Sequence, residues 1–206
     1  MTVNFTAHNI RLDDGTFTRP GLDGSMADCP WLKAAQRVLR TVFPGDKGRF
    51  RVADLGCLEG GYAVEFARMG FRVLGLDVRE SNITACRHVQ ARTRLPNLEF
   101  VRDDAWNVAA YGPFDAVFCC GLLYHLDRPR QFLELLARVT TKLLIVQTHF
   151  ATETPNAKFS LSGPAENESL QGCWYPEPAD EARFKGQGAE RWSSWDNPRS
   201  FWVRRS

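Results

Sequence analysis

The sequence predicts an α/β fold built on a doubly wound open sheet, mainly parallel, with helices on both faces. Three observations carry this expectation. From Arg49 onward short β-branched runs alternate with amphipathic stretches of about ten or more residues, the pattern of βαβ units. The runs are apolar at consecutive positions, as in strands buried on both faces. Glycine or an acidic residue follows several of them, at the carboxyl ends of strands where such folds collect ligands. With 206 residues, 44% of them hydrophobic, the chain can bury a full core, and one domain over residues 1–206 is expected.

Residues 1–30 carry Gly15, Pro20, Gly21, Gly24 and Pro30 without a sustained period, so an irregular amino-terminal arm is expected. Trp31 to Phe43 places apolar residues at Leu32, Ala35, Val38, Leu39 and Val42, the spacing of a helix with one buried face, and Pro44-Gly45-Asp46 ends it. Strands are expected at Arg51 to Leu55, Arg72 to Asp77, Leu98 to Arg102, Asp115 to Cys120 and Lys142 to Gln147. Helices fall between them at Gly61 to Met69, Glu80 to Thr93 and Arg130 to Val139, so that residues 31–150 form the ligand-binding core. Beyond Phe150 the alternation stops. Residues 151–206 are poor in aliphatics yet hold Trp174, Tyr175, Trp192, Trp195, Phe201 and Trp202, which predicts an irregular, aromatic-rich segment that is not purely solvated. Ser200 to Val203 is one short candidate strand.

Composition narrows the function classes. Lys and Arg total 26 against 24 Asp and Glu, so no broad field favours a nucleic-acid backbone or an anionic membrane. Cys29, Cys57, Cys86, Cys119, Cys120 and Cys173 are scattered, and four sit in apolar segments, which fits neither a disulfide framework nor a zinc site; no metal is expected. The start, Met1-Thr2-Val3-Asn4-Phe5, lacks a basic flank and an apolar signal core, and no apolar run reaches the ~20 residues of a membrane span. A cytoplasmic protein is the expectation.

Four stations carry chemistry. The loop Asp54-Leu55-Gly56-Cys57-Leu58-Glu59-Gly60-Gly61 joins the first strand to a helix, and its glycines let a ligand approach backbone N–H groups at the helix start. The dinucleotide pattern Gly-x-Gly-x-x-Gly is not matched, since Leu58 holds the middle glycine position, and a phosphate loop is absent; a nucleoside cofactor without pyrophosphate is favoured. Asp77 closes the second strand, where a carboxylate can accept both hydroxyl protons of a ribose; a helix cap is the structural alternative, with Ser81 or Asn82 available for that task. Asp103-Asp104-Ala105 follows the third strand, where one acid can accept from an exocyclic amino group and the other caps or is solvated. Phe114 to Gly121 is a buried strand running into small residues, and Leu122-Leu123-Tyr124-His125-Leu126 then offers Tyr124 and His125 as proton-shuttling groups, unless His125 is merely structural.

Together the four stations resemble the class I S-adenosylmethionine (SAM) dependent methyltransferases, with a Rossmann-like core, over roughly residues 30 to 150. Asp54-Leu55-Gly56-Cys57 with Gly60 is similar to that family's first motif, Asp77 to its ribose-binding acid, Asp104-Ala105 to its adenine-contacting pair, and Phe114-Asp115-Ala116-Val117 through Leu123-Tyr124-His125-Leu126 to its fourth-strand motif. The resemblance implies that the Gly56 to Gly60 backbone, with Cys57 and Leu58, lies against the methionine portion of SAM. It further implies Val78 against adenine and Cys120 or Gly121 near the sulfonium, with S-adenosylhomocysteine (SAH) as product. Leu58 in place of glycine narrows the loop.

The family sheet has seven strands, the last two antiparallel, whereas only five are readable before Phe150, so those antiparallel strands are expected to be missing or truncated. The fifth strand would then be an unprotected edge. Either the aromatic tail or a second copy of the chain, giving a homodimer, is expected to cover it. The expected function is methyl transfer to an oxygen, nitrogen or carbon atom of a small-molecule acceptor, with His125, Tyr124 or His149 as candidate bases for an oxygen acceptor. Two other classes remain open. One is a nucleic-acid or protein methyltransferase, favoured only by scattered arginines such as Arg87, Arg92, Arg94, Arg204 and Arg205; the other is a catalytically idle, methyltransferase-like scaffold or partner domain.

Overall fold

A computed structural model describes residues 3–153, 159–177 and 193–205. The helices are α1 (Pro30–Val42), α2 (Gly61–Arg68), α3 (Glu80–Gln90) and α4 (Pro129–Val139), and the first five strands are β1 (Arg51–Leu55), β2 (Arg72–Asp77), β3 (Leu98–Arg102), β4 (Phe114–Cys120) and β5 (Thr140–Gln147). These five form one parallel sheet in the order β3-β2-β1-β4-β5. The order reverses between β1 and β4, which opens a crevice beyond their carboxyl ends.

Strand alternation explains the layers. Val52, Val73, Ala116 and Phe118 face one way, into a core with Leu32, Ala35 and Leu39 of α1, Val64 and Phe66 of α2 and Val89 of α3. Ala53, Leu55, Leu74, Leu76, Val117 and Cys119 face the other way, against Phe132, Leu135, Leu136 and Val139 of α4. A strand with both residue sets apolar has no solvated face, which is why β1, β2 and β4 read as continuous hydrophobic runs. The buried stripe of α1 is narrower than expected: Val38 and Val42 are each 40% exposed, because the helix presents only the line through Leu32, Ala35 and Leu39 to the sheet.

The carboxyl-terminal region departs from the expected irregular segment. Strands β6 (Pro164–Asn167), β7 (Leu170–Pro176) and β8 (Arg199–Val203) form a separate antiparallel sheet in the order β6-β7-β8. A two-residue turn joins β6 to β7, with Glu168 at φ 54° and Ser169 at φ 60°. That is the conformation hairpin turns favour, occupied here by residues other than the usual Asn-Gly. Aromatic contacts hold the sheet: Tyr175 stacks on Trp202 with centroids 5.1 Å apart, and Trp174 meets Phe201 edge-on at 5.0 Å.

The small sheet docks on the segment after β4 rather than on β5. Phe201 N donates to Leu126 O at 2.9 Å and Trp202 Nε1 to Tyr124 O at 2.9 Å. Its links to the chain leaving β5 are an isolated bridge between Ala151 and Arg204, the stacking of His149 on Trp202 and the Arg204–Glu153 ion pair. Among the described residues β5 is therefore the outermost strand of the parallel sheet, and the tail does not pair with it. Trp192 lies outside the described residues. All six cysteines are free thiols, and among the described residues no helix is long and apolar enough to cross a membrane.

Candidate active site

The loop after β1 is built before any ligand is considered. Gly60 takes φ 82° as the residue preceding α2, and a Cβ there would stand 2.6 Å from the Phe100 ring, so glycine is dictated by packing against β3 as well as by the turn. Leu58 keeps the path a glycine would take by adopting φ 48° itself, a left-handed conformation that costs a non-glycine residue about 1 kcal/mol. Its N–H donates to Asp77 Oδ2 at 3.0 Å and its carbonyl accepts from Cys86 Sγ at 3.1 Å, bonds that hold the strained residue in place.

Glu59 in this loop plays a part that sequence reasoning missed. Its buried carboxylate accepts from the backbone N–H of Thr6 at 2.5 Å, of Ala7 at 3.1 Å and of His8 at 2.8 Å. His8 Nδ1 in turn accepts from Gly61 N at 3.0 Å. Burial, opposed by the Glu59 charge and aided by Arg19, keeps His8 neutral, with its pKa pushed down to about 4. The amino-terminal arm is thereby fastened over the glycine loop and brings Ala7 to the crevice.

The crevice holds about 280 Å³. Ten of the thirteen residues expected to form the site line it: Gly56, Leu58, Asp77, Val78, Asp104, Ala105, Cys120, Gly121, Tyr124 and His125. Three do not. Cys57 is turned into the core, where its sulfur lies 4.0 Å from Cys86 Sγ; Gly60 faces Phe100; and Asp54 is buried behind the loop. Asp54 Oδ2 has no hydrogen-bond partner among the described residues, and burial pushes this carboxyl up to about 7.

Asp77 serves the structural task weighed from the sequence and also reaches the crevice. Oδ1 accepts from Arg79 N at 2.9 Å and from Asn82 Nδ2 at 3.1 Å, serving the start of α3, while Oδ2 accepts from Leu58 N, and Asp77 lies on the crevice wall. Burial raises its pKa. Asp104 accepts Trp106 N at 2.9 Å through Oδ1 and lines the crevice, whereas Asp103 is turned to Tyr111 and Asn107.

The opposite wall carries Tyr124 and His125. Burial pushes the Tyr124 phenol up to about 12, so it is a proton donor rather than a base near neutral pH. His125 Nδ1 lies 3.0 Å from Oε1 of Glu177, a buried acid just beyond β7, and this contact commits Nδ1 and leaves Nε2 for the crevice. His149 is absent from this wall; it stacks on Trp202 and lines a second cavity of about 240 Å³ with Arg204 and Arg205. Ser193 to Asn197 complete the crevice, a contribution invisible in the sequence because Arg79 and Glu177 recruit the segment across long separations. Of the arginines that suggested a macromolecular acceptor, Arg87 pairs with Glu80, Arg92 with Asp14 and Arg204 with Glu153.

Comparison with known proteins points to the same kind of domain. A family model described as a methyltransferase domain matches residues 52–142, the span that contains all four stations. The N-terminal domain of EvdMO1, solved with SAH bound, superposes with a TM-score of 0.69 at 25% identity, covering 96% of this chain and 75% of that one. Residues 52–142 match a methyltransferase domain, and the chain is similar to the class I SAM-dependent methyltransferases. Magnesium protoporphyrin IX methyltransferase from Synechocystis PCC 6803 shares the fold, with a TM-score of 0.51 at 19% identity. A ubiquinone biosynthesis O-methyltransferase of Caulobacter sp. (strain K31) is 31% identical over 112 residues, 53% of this chain and 43% of the relative. The chain thus spans about two fifths of the length of the curated relatives it matches, 39% and 43% for the first two. The cofactor of such methyltransferases is SAM, and the EvdMO1 superposition covers 96% of this chain, beyond residues 52–142 of the family model.

Proposed function

We propose that the chain binds SAM in the crevice and transfers its methyl group to a hydroxyl of a small-molecule acceptor. The observation that carries the reading is the convergence on one crevice of Asp77, Asp104 and the Gly56 and Gly121 turns on one side with the His125–Glu177 pair on the other. The residues fit the cofactor. Among the described residues Asp77 Oδ2 accepts a single hydrogen bond and has capacity left for a ribose hydroxyl, and Asp104 stands beside Ala105 for an amino group. Gly121, at φ 78°, keeps the end of β4 open; a Cβ there would come 3.4 Å from the Tyr124 hydroxyl. When bound, SAM supplies an electrophilic methyl group on sulfur.

The protein's own work is alignment and proton removal. Glu177 holds His125 by Nδ1, so Nε2 is the atom to accept the acceptor's hydroxyl proton as the oxygen attacks. Tyr124, protonated at neutral pH, orients the acceptor by hydrogen bonding. Relatives named for O-methylation in ubiquinone biosynthesis, and the EvdMO1 domain solved in the presence of SAH and D-fucose, support a hydroxyl-bearing small molecule.

Calorimetric titration with SAH and a methyl-transfer assay over a panel of phenols and sugars test the reading. Asp77→Ala is expected to weaken SAH binding tenfold or more. His125→Ala is expected to keep SAH affinity while transfer falls about 10²- to 10⁴-fold. Wild-type protein that binds no SAH at millimolar concentration would refute the proposal, and would favour the idle-scaffold alternative.

A further inference from the structure

We infer that the carboxyl-terminal segment Ser193 to Asn197 adds a recognition element for the cofactor's adenosine end, with Trp195 as its contacting ring and Arg79 as its anchor. The inference rests on the SAM reading above, but not on the family's motifs, all of which lie on the parallel sheet. The segment is tied to both rims of the crevice. On one side the Arg79 guanidinium donates from Nη2 to the carbonyls of Ser193 and Ser194, both at 2.8 Å, and stands 5.0 Å from the Trp195 ring centroid. On the other, Ser194 N donates to Glu177 Oε2 at 3.2 Å and Asn197 Nδ2 donates to His125 O at 2.8 Å.

Held this way, Trp195 lines the crevice and still leaves 53% of its surface exposed, whereas Trp202 in the neighbouring aromatic cluster is 3% exposed. A large flat apolar ring fixed at a crevice wall gains most by covering another flat ring. Position selects which end of the crevice it serves. Arg79 follows Asp77 and Val78 directly, so Trp195, lying against the Arg79 guanidinium, stands at the end of the crevice marked by those residues. The only planar group expected there is a purine base, and base–indole stacking is insensitive to the atoms on the base edge.

The test is calorimetry with SAH and with adenosine alone, on wild type, Trp195→Ala, Trp195→Phe and Asp77→Ala. Trp195→Ala should weaken both ligands by the same factor, roughly tenfold, and Trp195→Phe should retain most of the affinity. In parallel, SAH should change the tryptophan emission of the wild type more than that of Trp195→Phe, a reading that does not depend on the alanine variant folding well. Trp195→Ala with unchanged SAH affinity, alongside an Asp77→Ala protein that has lost it, would overturn the inference and leave the SAM reading standing. Wild-type protein blind to SAH would overturn both.

Discussion

The parallel sheet and the small antiparallel sheet are held together by different means. In the parallel sheet, β1, β2 and β4 are buried on both faces between two helical layers, and the energy resides in aliphatic and Phe side chains such as Phe66 and Phe132. In the antiparallel sheet β6 and most of β7 are partly exposed while the middle of β8 is buried, and cohesion comes from ring contacts among Phe159, Trp174, Tyr175, Phe201 and Trp202. The first is a scaffold that ends in a crevice, while residues flanking β7 and β8 add Ser193 to Asn197 to the crevice wall and Glu177 as the partner of His125. A cofactor cradle and the partner of its candidate base thus come from structures of unequal robustness.

Two substitutions can break that comparison. Phe132→Ala should cost about 3–5 kcal/mol and lower the urea midpoint of the whole transition, because the ring is fully buried under α4. Gly172→Ala puts a Cβ 2.3 Å from the Trp202 carbonyl oxygen across the β7–β8 pair. Hydrogen exchange should then show lost protection in β7 and β8 with β1 and β4 still protected. Equal loss in both sheets would mean that they unfold as one unit.

A smaller effect sharpens the role of the scaffold's buried acid. Asp54, pushed up to about 7, keeps a proton in the folded state that the unfolded chain releases near pH 4. The folded state therefore binds more protons between those values, and stability is lost as pH rises from about 4 to about 7. His8, lowered to about 4 by burial, works in the opposite sense between its folded value and 6.5. Comparing wild type with Asp54→Asn isolates the first effect, on the order of 1–3 kcal/mol between pH 4.5 and 7.5. A parallel pair of pH profiles would contradict the assignment.

Much of the parallel sheet was legible from the sequence. The expected limits of β1, β2 and β3 coincide with the observed ones, and β4 and β5 begin one and two residues earlier, because a strand apolar on both faces and bounded by glycine and acid advertises itself. The small sheet was not legible beyond β8. Its hairpin turns at Glu168-Ser169, which carry no turn signal, and β7 and β8 are separated by a long intervening stretch. The candidate site divides the same way. Asp77, Asp104 and Gly121 follow strands and were found by position, while Glu59, Glu177 and Ser193 to Asn197 enter through contacts between residues more than fifty apart, which no local pattern records.

The smallest effect concerns Leu58. Leu58→Gly removes the left-handed strain but adds the chain entropy of glycine, so stability should stay within about 0.5 kcal/mol of wild type by thermal melting. Leu58→Val should lose about 1–2 kcal/mol, since a branched Cβ fits that backbone poorly.

The fastening of Thr6, Ala7 and His8 to Glu59 makes the amino-terminal arm a wall of the crevice rather than a lead-in to it. Arm position is consequently set by the same loop whose Gly56 and Leu58 line the crevice. A fluorescent or isotopic label on the arm would report on the crevice without touching a motif residue, and a bulky fusion joined close to Ala7 would act as a competitor for it.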